Sequence, residues 1–191
     1  MIPELNQSGV LPPFIPEQSP TDPASMAPYR STMSEFVFRY AQSPERIIIL
    51  KGLLKYRQRL KNIGIIEGFQ WLDGSFVENV ELNLGRPPND IDIVTFAKRP
   101  TQNTNTEEWC SLIQNNTELF DSDVSKEKYY CDAYFVDLNT DPIHIVNSTK
   151  YWFGLFSHQR ESCLWKGMIE IPIVCDDNEA LKILEKEIGN A

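Results

Sequence analysis

The chain has 191 residues, 41 % of them hydrophobic, which suits one core and one domain with an appendage. Mean hydropathy is −0.34, no apolar stretch approaches the roughly 20 residues of a membrane helix, and no basic-then-apolar leader opens the chain, so the expectation is a cytoplasmic protein with no membrane association. A formal net charge of −9 repels nucleic-acid backbones; it argues against bulk DNA binding and favours a small nucleotide delivered with its metal, or a protein partner.

Residues 1–30 hold seven of the 13 prolines: Pro3, Pro12, Pro13, Pro16, Pro20, Pro23 and Pro28. Proline fixes φ and removes a donor, so this segment reads as an extended arm. Its apolar residues, Ile2, Leu5, Val10, Leu11, Phe14 and Ile15, predict that it packs along the surface of a domain spanning residues 31–191. Ser31 or Thr32 caps a first helix through Phe36, Val37, Phe38 and Tyr40. Ser43-Pro44-Glu45 starts a second, with a capping serine, proline at the first helical position and an acid at the positive end of the dipole. Ile47, Leu50, Leu54 and Leu60 line its apolar face; Lys51, Lys55, Arg57, Arg59 and Lys61 read as its solvated side, and Gly64 as its stop.

Alternation follows. Phe69 to Leu72 is a predicted strand ending at Asp73-Gly74-Ser75, and Asp90 to Phe96 a second. A helix is expected over 106–119, a third strand from Tyr129 to Leu138, a short helix from Lys150 to Phe156, a fourth strand from Lys166 to Val174 and a terminal helix from Asn178 to Ile188. Mixed strands and helices of this kind indicate an α/β (α+β) fold, a mixed β-sheet with flanking helices. Cys110, Cys131, Cys163 and Cys175 form no CxxC pair and read as buried, reduced thiols.

The chemistry concentrates in residues 69–138. Glycine at a strand exit lets a phosphate approach the backbone, and the hydroxyl of Ser75 beside free N–H groups offers an anion nest. Asp90 and Asp92, two apart on a strand, share one face and can converge on a hard cation. Without a cation such a pair is unfavourable, because like charges raise one pKa. The third strand carries Asp132 and Asp137, five apart and therefore on opposite faces, so one of them can join. Asp132 is preferred, since it sits near its strand start as Asp90 and Asp92 do; Asp137 is the alternative, or simply opens a turn at Asn139-Thr140-Asp141-Pro142.

Strand, Gly-Ser, Asp-x-Asp and a later single carboxylate together resemble the DNA polymerase beta-like nucleotidyltransferase superfamily. The wider string Trp71-Leu72-Asp73-Gly74-Ser75-Phe76 through Pro88-Asn89-Asp90-Ile91-Asp92 looks closer still to a group of bacterial nucleotidyltransferase-like proteins of undefined role. That group also tends to carry segments like Ile2-Pro3, Gly9-Val10-Leu11-Pro12, Tyr151-Trp152, Phe156, Arg160 and Lys166-Gly167. The resemblance implies a nucleotidyltransferase-like fold and two-metal transfer of a nucleoside monophosphate from an NTP to an acceptor, with Mg²⁺ or Mn²⁺ as cofactor. Asp90, Asp92 and Asp132 would be catalytic and bind the metals, and Gly74 and Ser75 would hold the triphosphate.

One departure stands out. Many superfamily members place an arginine or lysine soon after Gly-Ser, whereas this chain reads Phe76-Val77-Glu78-Asn79-Val80-Glu81, with Arg86 the first base. Arg86, Arg160 and Lys166 are the candidates for nucleotide binding, Arg160 and Lys166 having a plain surface role as the alternative. His144, in an apolar run, reads as a structural histidine, His158 as a weaker phosphate candidate, and Tyr151, Trp152, Phe153 and Phe156 as core or as a base-stacking platform. Two functions remain open: the metal-dependent enzyme, and a catalytically weak or inactive binding protein of the same fold, such as a toxin–antitoxin or phage-defence component. A solvated Asp-Ile-Asp in an unrelated domain is the bland third reading.

Overall fold

The computed structural model describes residues 1–19, 21–102, 105–160 and 162–189, and the side chains of all of these except 187–189. Thr32 and Ser43 start the first two helices, α1 (Met33–Tyr40) and α2 (Pro44–Asn62), each side-chain oxygen accepting from the amide three residues on. Strands follow as β1 (Tyr29–Arg30), β2 (Gly68–Asp73), β3 (Ile91–Ala97), β4 (Cys131–Asp137) and β5 (Ile169–Pro172). They form a mixed sheet in the order β1-β5-β2-β3-β4, with β1–β5 and β3–β4 parallel and the other two pairings antiparallel. The remaining helices are α3 (Val80–Leu84), α4 (Thr106–Gln114), α5 (Thr117–Phe120), α6 (Ser122–Tyr129), α7 (Pro142–Phe156) and α8 (Asp177–Gly189). The fold class is α+β, as the sequence indicated.

The period-2 alternation of the strands divides the sheet into two faces. On one face Leu72, Ile91, Ile93, Ala97, Cys131, Ala133, Ile169 and Ile171 join residues of α1, α2 and α8 in the main core. The other face carries Phe69, Trp71, Val94, Phe96 and Val136, covered by Trp152, Phe153 and Phe156 of α7. Aromatic contacts tie this second layer, Trp71 lying 4.7 Å from Phe96 and Tyr134 4.6 Å from Trp152 between ring centroids.

Several elements differ from expectation for identifiable reasons. The N-terminal segment is more than a surface strap: Val10 and Leu11 are fully buried, the Leu11 carbonyl accepts from Gly167, and Tyr29 begins an edge strand. Pro20 lies outside the described residues. Asp141-Pro142, read as a turn, is a helix start, the Asp141 carboxylate accepting from Ile143, so the short helix at 150–156 is the end of the 15-residue α7. The helix expected over 106–119 breaks at Asn115-Asn116 into α4 and α5. Tyr130 caps α6 in the left-handed region, φ 58°, so the third long strand starts only at Cys131.

The charged face of α2 needs a correction. Arg57 is 1 % exposed: its guanidinium bonds Asp177, the Gln70 side chain and the carbonyls of Pro172 and Ile173. A charge taken out of water must be paired and fully bonded, and this one joins α2, β2, β5 and α8. Lys61 reaches the same Asp177 at 2.7 Å. The buried-thiol reading holds for Cys131; Cys175 is half-buried, and Cys110 and Cys163 are exposed. No helix among the described residues is long and apolar enough to cross a membrane.

Candidate functional site

At one end of the α7-covered face, three aspartates stand in a row on three adjacent strands. Asp73 of β2 is the register partner of Asp92 in β3, and Asp92 is the register partner of Asp132 in β4. Neighbouring strands lie roughly 4.8 Å apart, so three in-register side chains on one face crowd together. Asp90, two residues before Asp92, shares that face. Its carboxylate meets the Lys126 ammonium of α6 at 2.5 Å, and the same ammonium lies 3.6 Å from Asp132. The sequence thus brings Asp90, Asp92 and Asp132 to one corner, while Asp137 is held away at the far end of β4 by Arg99, 2.7 Å distant.

The turn after β2 is shaped by Gly74, which has φ 82° and ψ −168°, a region open essentially to glycine. A Cβ there would overlap Asp92 Oδ2 and crowd its carboxyl carbon at 2.8 Å, so the turn lies directly against the acidic row. Ser75 follows in a single 3₁₀ turn, half-buried, and Phe76 and Val77 are buried beneath it. Arg46 of α2 fixes this loop: it donates to the carbonyls of Phe76 and Glu78, pairs with Glu81, and its guanidinium carbon stands 5.1 Å from the Phe76 ring centroid.

Beneath the turn, Lys166 is 3 % exposed and lies 2.7 Å from Glu78 and 3.1 Å from Asp73. Burial pulls its ammonium down, but Asp73 and Glu78 together outweigh that and hold its pKa above the ordinary value. Glu78 is the nearer partner. Asp73 is left with a buried Oδ1 that has no hydrogen-bond partner, and burial pushes its carboxyl up to about 7 despite the opposing charge of Lys166. Asp92 is likewise pushed up to about 6, by burial first and then by Asp90 and Asp132. Five carboxyl groups, Asp73, Glu78, Asp90, Asp92 and Asp132, therefore face two ammonium groups, Lys126 and Lys166.

The candidate phosphate cations are placed differently from the sequence reading. Lys166 is a buried support for the glycine turn, its ammonium 3.5 Å from the Gly74 carbonyl, and is not presented to solvent. Arg86 is exposed and donates to Pro87 within its own turn. Arg160 is exposed on the loop after α7, next to Gln159, which anchors that loop to Glu78 at 2.7 Å. His144 and His158 are both exposed. Sequence reasoning missed Lys126, and its only signal was the spacing: Lys126 lies six residues before Asp132, within one helix and one tight cap.

As the side chains stand, no three His, Cys, Asp or Glu groups among the described residues are arranged to hold a metal ion. The donor set nonetheless suits a hard cation. It consists of carboxylate oxygens on adjacent strands, and its five carboxyl groups outnumber the two ammonium groups beside them.

A family model described as a family of unknown function, DUF6932, matches residues 3–172. The chain belongs to that family. The matched segment takes in the N-terminal arm, the five strands and the whole acidic row, so arm, sheet and cluster all fall within the family's shared region. No curated protein and no solved structure matches the chain.

Proposed function

We propose that the chain is a divalent-metal-dependent nucleotidyltransferase of the DNA polymerase beta-like kind, moving a nucleoside monophosphate from an NTP to an acceptor. The observation that carries this reading is the in-register row Asp73–Asp92–Asp132, with Asp90 beside it and Gly74 against Asp92. Asp90, Asp92 and Asp132 are the groups that would hold Mg²⁺ or Mn²⁺. Bound there, the ion supplies charge neutralisation at the phosphoryl oxygens and acidifies an acceptor hydroxyl.

The chain's own residues have separable tasks. Gly74 lets a phosphate come close to the backbone, and the Ser75 hydroxyl donates to one of its oxygens. Asp132 orients the acceptor hydroxyl and takes its proton. The acceptor oxygen then bonds to the α-phosphorus as the α–β bridging bond breaks and pyrophosphate leaves. Asp73, Glu78 and Lys166 hold the turn in place from below.

A binding protein that has kept the fold is the second reading. It is favoured by the ion pairs of Lys126 with Asp90 and Asp132, which close the cluster with an ammonium. Thermal unfolding with Mg²⁺ and each NTP tests for the site, because a ligand that binds only the folded state raises its stability. The expected shift is a few degrees, and it is lost in Asp90→Ala/Asp92→Ala. Transfer of α-labelled phosphate to an acceptor in lysate then separates enzyme from binder; a thermal shift without label on any acceptor overturns the enzyme.

A further inference from the structure

Among the described residues, Lys126 is the cation of the cluster with access to solvent: its side chain is 47 % exposed, against 4 % for Lys166. It reaches the cluster from α6, whose C-terminus is fixed to the start of β3 by the Ile91 amide donating to the Tyr130 carbonyl at 3.0 Å. The helix is thus held against the aspartates, and the ammonium travels only as far as its flexible stem allows. Partly exposed lysine–carboxylate pairs are weak, so release of this one costs little. Its position also supplies what Lys166, buried under the turn, does not present to solvent. A polyphosphate beside Gly74 requires a movable positive charge at the rim of the acidic row, and Lys126 already stands there.

Resting on the metal-dependent reading above, we propose that Lys126 is a resident counter-ion that yields Asp90 and Asp132 to an incoming divalent cation and then pairs with the polyphosphate arriving with it. Lys126 is a positioning residue whose partner changes from carboxylate to phosphate. The exchange has a signature that a merely structural lysine lacks: removing the charge acts with opposite sign on the bare cation and on the cation–nucleotide complex. One ammonium a few ångströms from a bound dication opposes it, and one beside a phosphate supports it, each by about tenfold for a half-exposed, solvent-screened side chain.

The test is binding of Mn²⁺, followed by its paramagnetic signal, to wild type, Lys126→Met and Lys126→Arg. It is run with Mn²⁺ alone and with Mn²⁺ plus the α,β-methylene analogues of the four common NTPs, which cannot be cleaved at the transferring bond. Lys126→Met is expected to bind Mn²⁺ alone about tenfold more tightly and the Mn²⁺–analogue complex about tenfold more weakly. Lys126→Arg restores both affinities towards wild type. Circular dichroism and thermal unfolding establish that the variants fold. Equal or weaker Mn²⁺ binding by Lys126→Met, or undiminished analogue binding, overturns the role of Lys126 while leaving the metal site standing. Absence of Mn²⁺ binding in all three folded proteins overturns the metal reading and this inference together.

Discussion

Gly74 and Asp92 touch across the β2–β3 ladder so closely that the glycine's missing side chain is what leaves room for the aspartate's carboxyl group. The contact joins the two halves of the candidate site: the turn that would face a phosphate and the row that would face a cation. It also makes that turn intolerant of any other residue. Gly74→Ala puts a Cβ into Asp92 Oδ2 and forces alanine to φ 82°. The expected loss is about 3 kcal/mol in urea unfolding, the upper end for a strained backbone position. A loss below about 1 kcal/mol would mean that the turn relaxes freely and that its shape is not fixed.

Asp92 sits at a cost in the absence of a cation, since it is buried and Asp90 and Asp132 flank it. Asp92→Asn removes one of the crowded charges and keeps the shape. Without divalent ions at pH 8, the variant is expected to be more stable than wild type by about 1–2 kcal/mol. Saturating Mg²⁺ reverses the order, stabilising wild type only. Calorimetric melts with EDTA and with Mg²⁺ read both effects, and a variant less stable in EDTA rules out the crowding argument.

Arg57 is the residue whose removal tests the opposite face. Its guanidinium bonds Asp177, Gln70 and two carbonyls in a nearly dry setting. Arg57→Met fills much of the space but leaves Asp177 with Lys61 alone and the Gln70 side-chain oxygen without a donor. The expected cost is about 3–5 kcal/mol, as for breaking a buried pair. A urea midpoint close to that of wild type would show that Lys61 takes over the whole load.

Asp176 supplies a pH-dependent element far from the acidic row. It accepts from the amides of Met33 and Ser34 at the N-terminus of α1, 2.8 Å and 3.3 Å away. Burial pushes its carboxyl up, but the Cys175 thiol and the Ser34 amide outweigh it and hold the pKa at about 2. Because the folded value lies below the unfolded one, the contribution is complete above pH 4 and is lost as pH falls towards 2. Asp176→Ala is expected to cost about 1 kcal/mol at pH 7, discounted for partial exposure, and the gap between variant and wild type closes by pH 2. A gap independent of pH would assign the effect to packing instead.

Strand alternation and cap chemistry made the sheet, α1, α2 and the Gly-Ser and Asp-x-Asp corner legible in the sequence, because each rests on a local rule. That only one of Asp132 and Asp137 can face Asp92 is equally local, since the two faces of one strand separate residues five apart, and the place of Asp132 near its strand start matches its register beside Asp92. What stayed hidden depends on contacts distant in sequence. Arg57 looks like its neighbours Lys55 and Arg59 until α8 brings Asp177 to it across 120 residues. Lys166 looked like a free cation until the loop after α7 folded it under Gly74. Asp141-Pro142 carries turn and helix-start signals at once, and the aromatic run that decides between them packs on strands far away in the chain.

Lys166 is where structural and catalytic roles for a lysine at this site part company. A nucleotide-binding lysine can be neutralised with little loss of stability, because water surrounds it before ligand arrives. Lys166 instead lies between Glu78 and Asp73 with 3 % of its surface exposed. Removing its charge strands Glu78 in a dry pocket and drops the support under the Gly74 carbonyl. Lys166→Met is therefore expected to lose about 3–5 kcal/mol of stability, and Lys166→Met/Glu78→Gln to recover part of it, because the second change removes the unpaired charge. Chemical unfolding of the two variants beside Glu78→Gln alone closes the cycle. Full stability in Lys166→Met, with nucleotide binding lost, would return Lys166 to the phosphate site and leave the glycine turn without its prop.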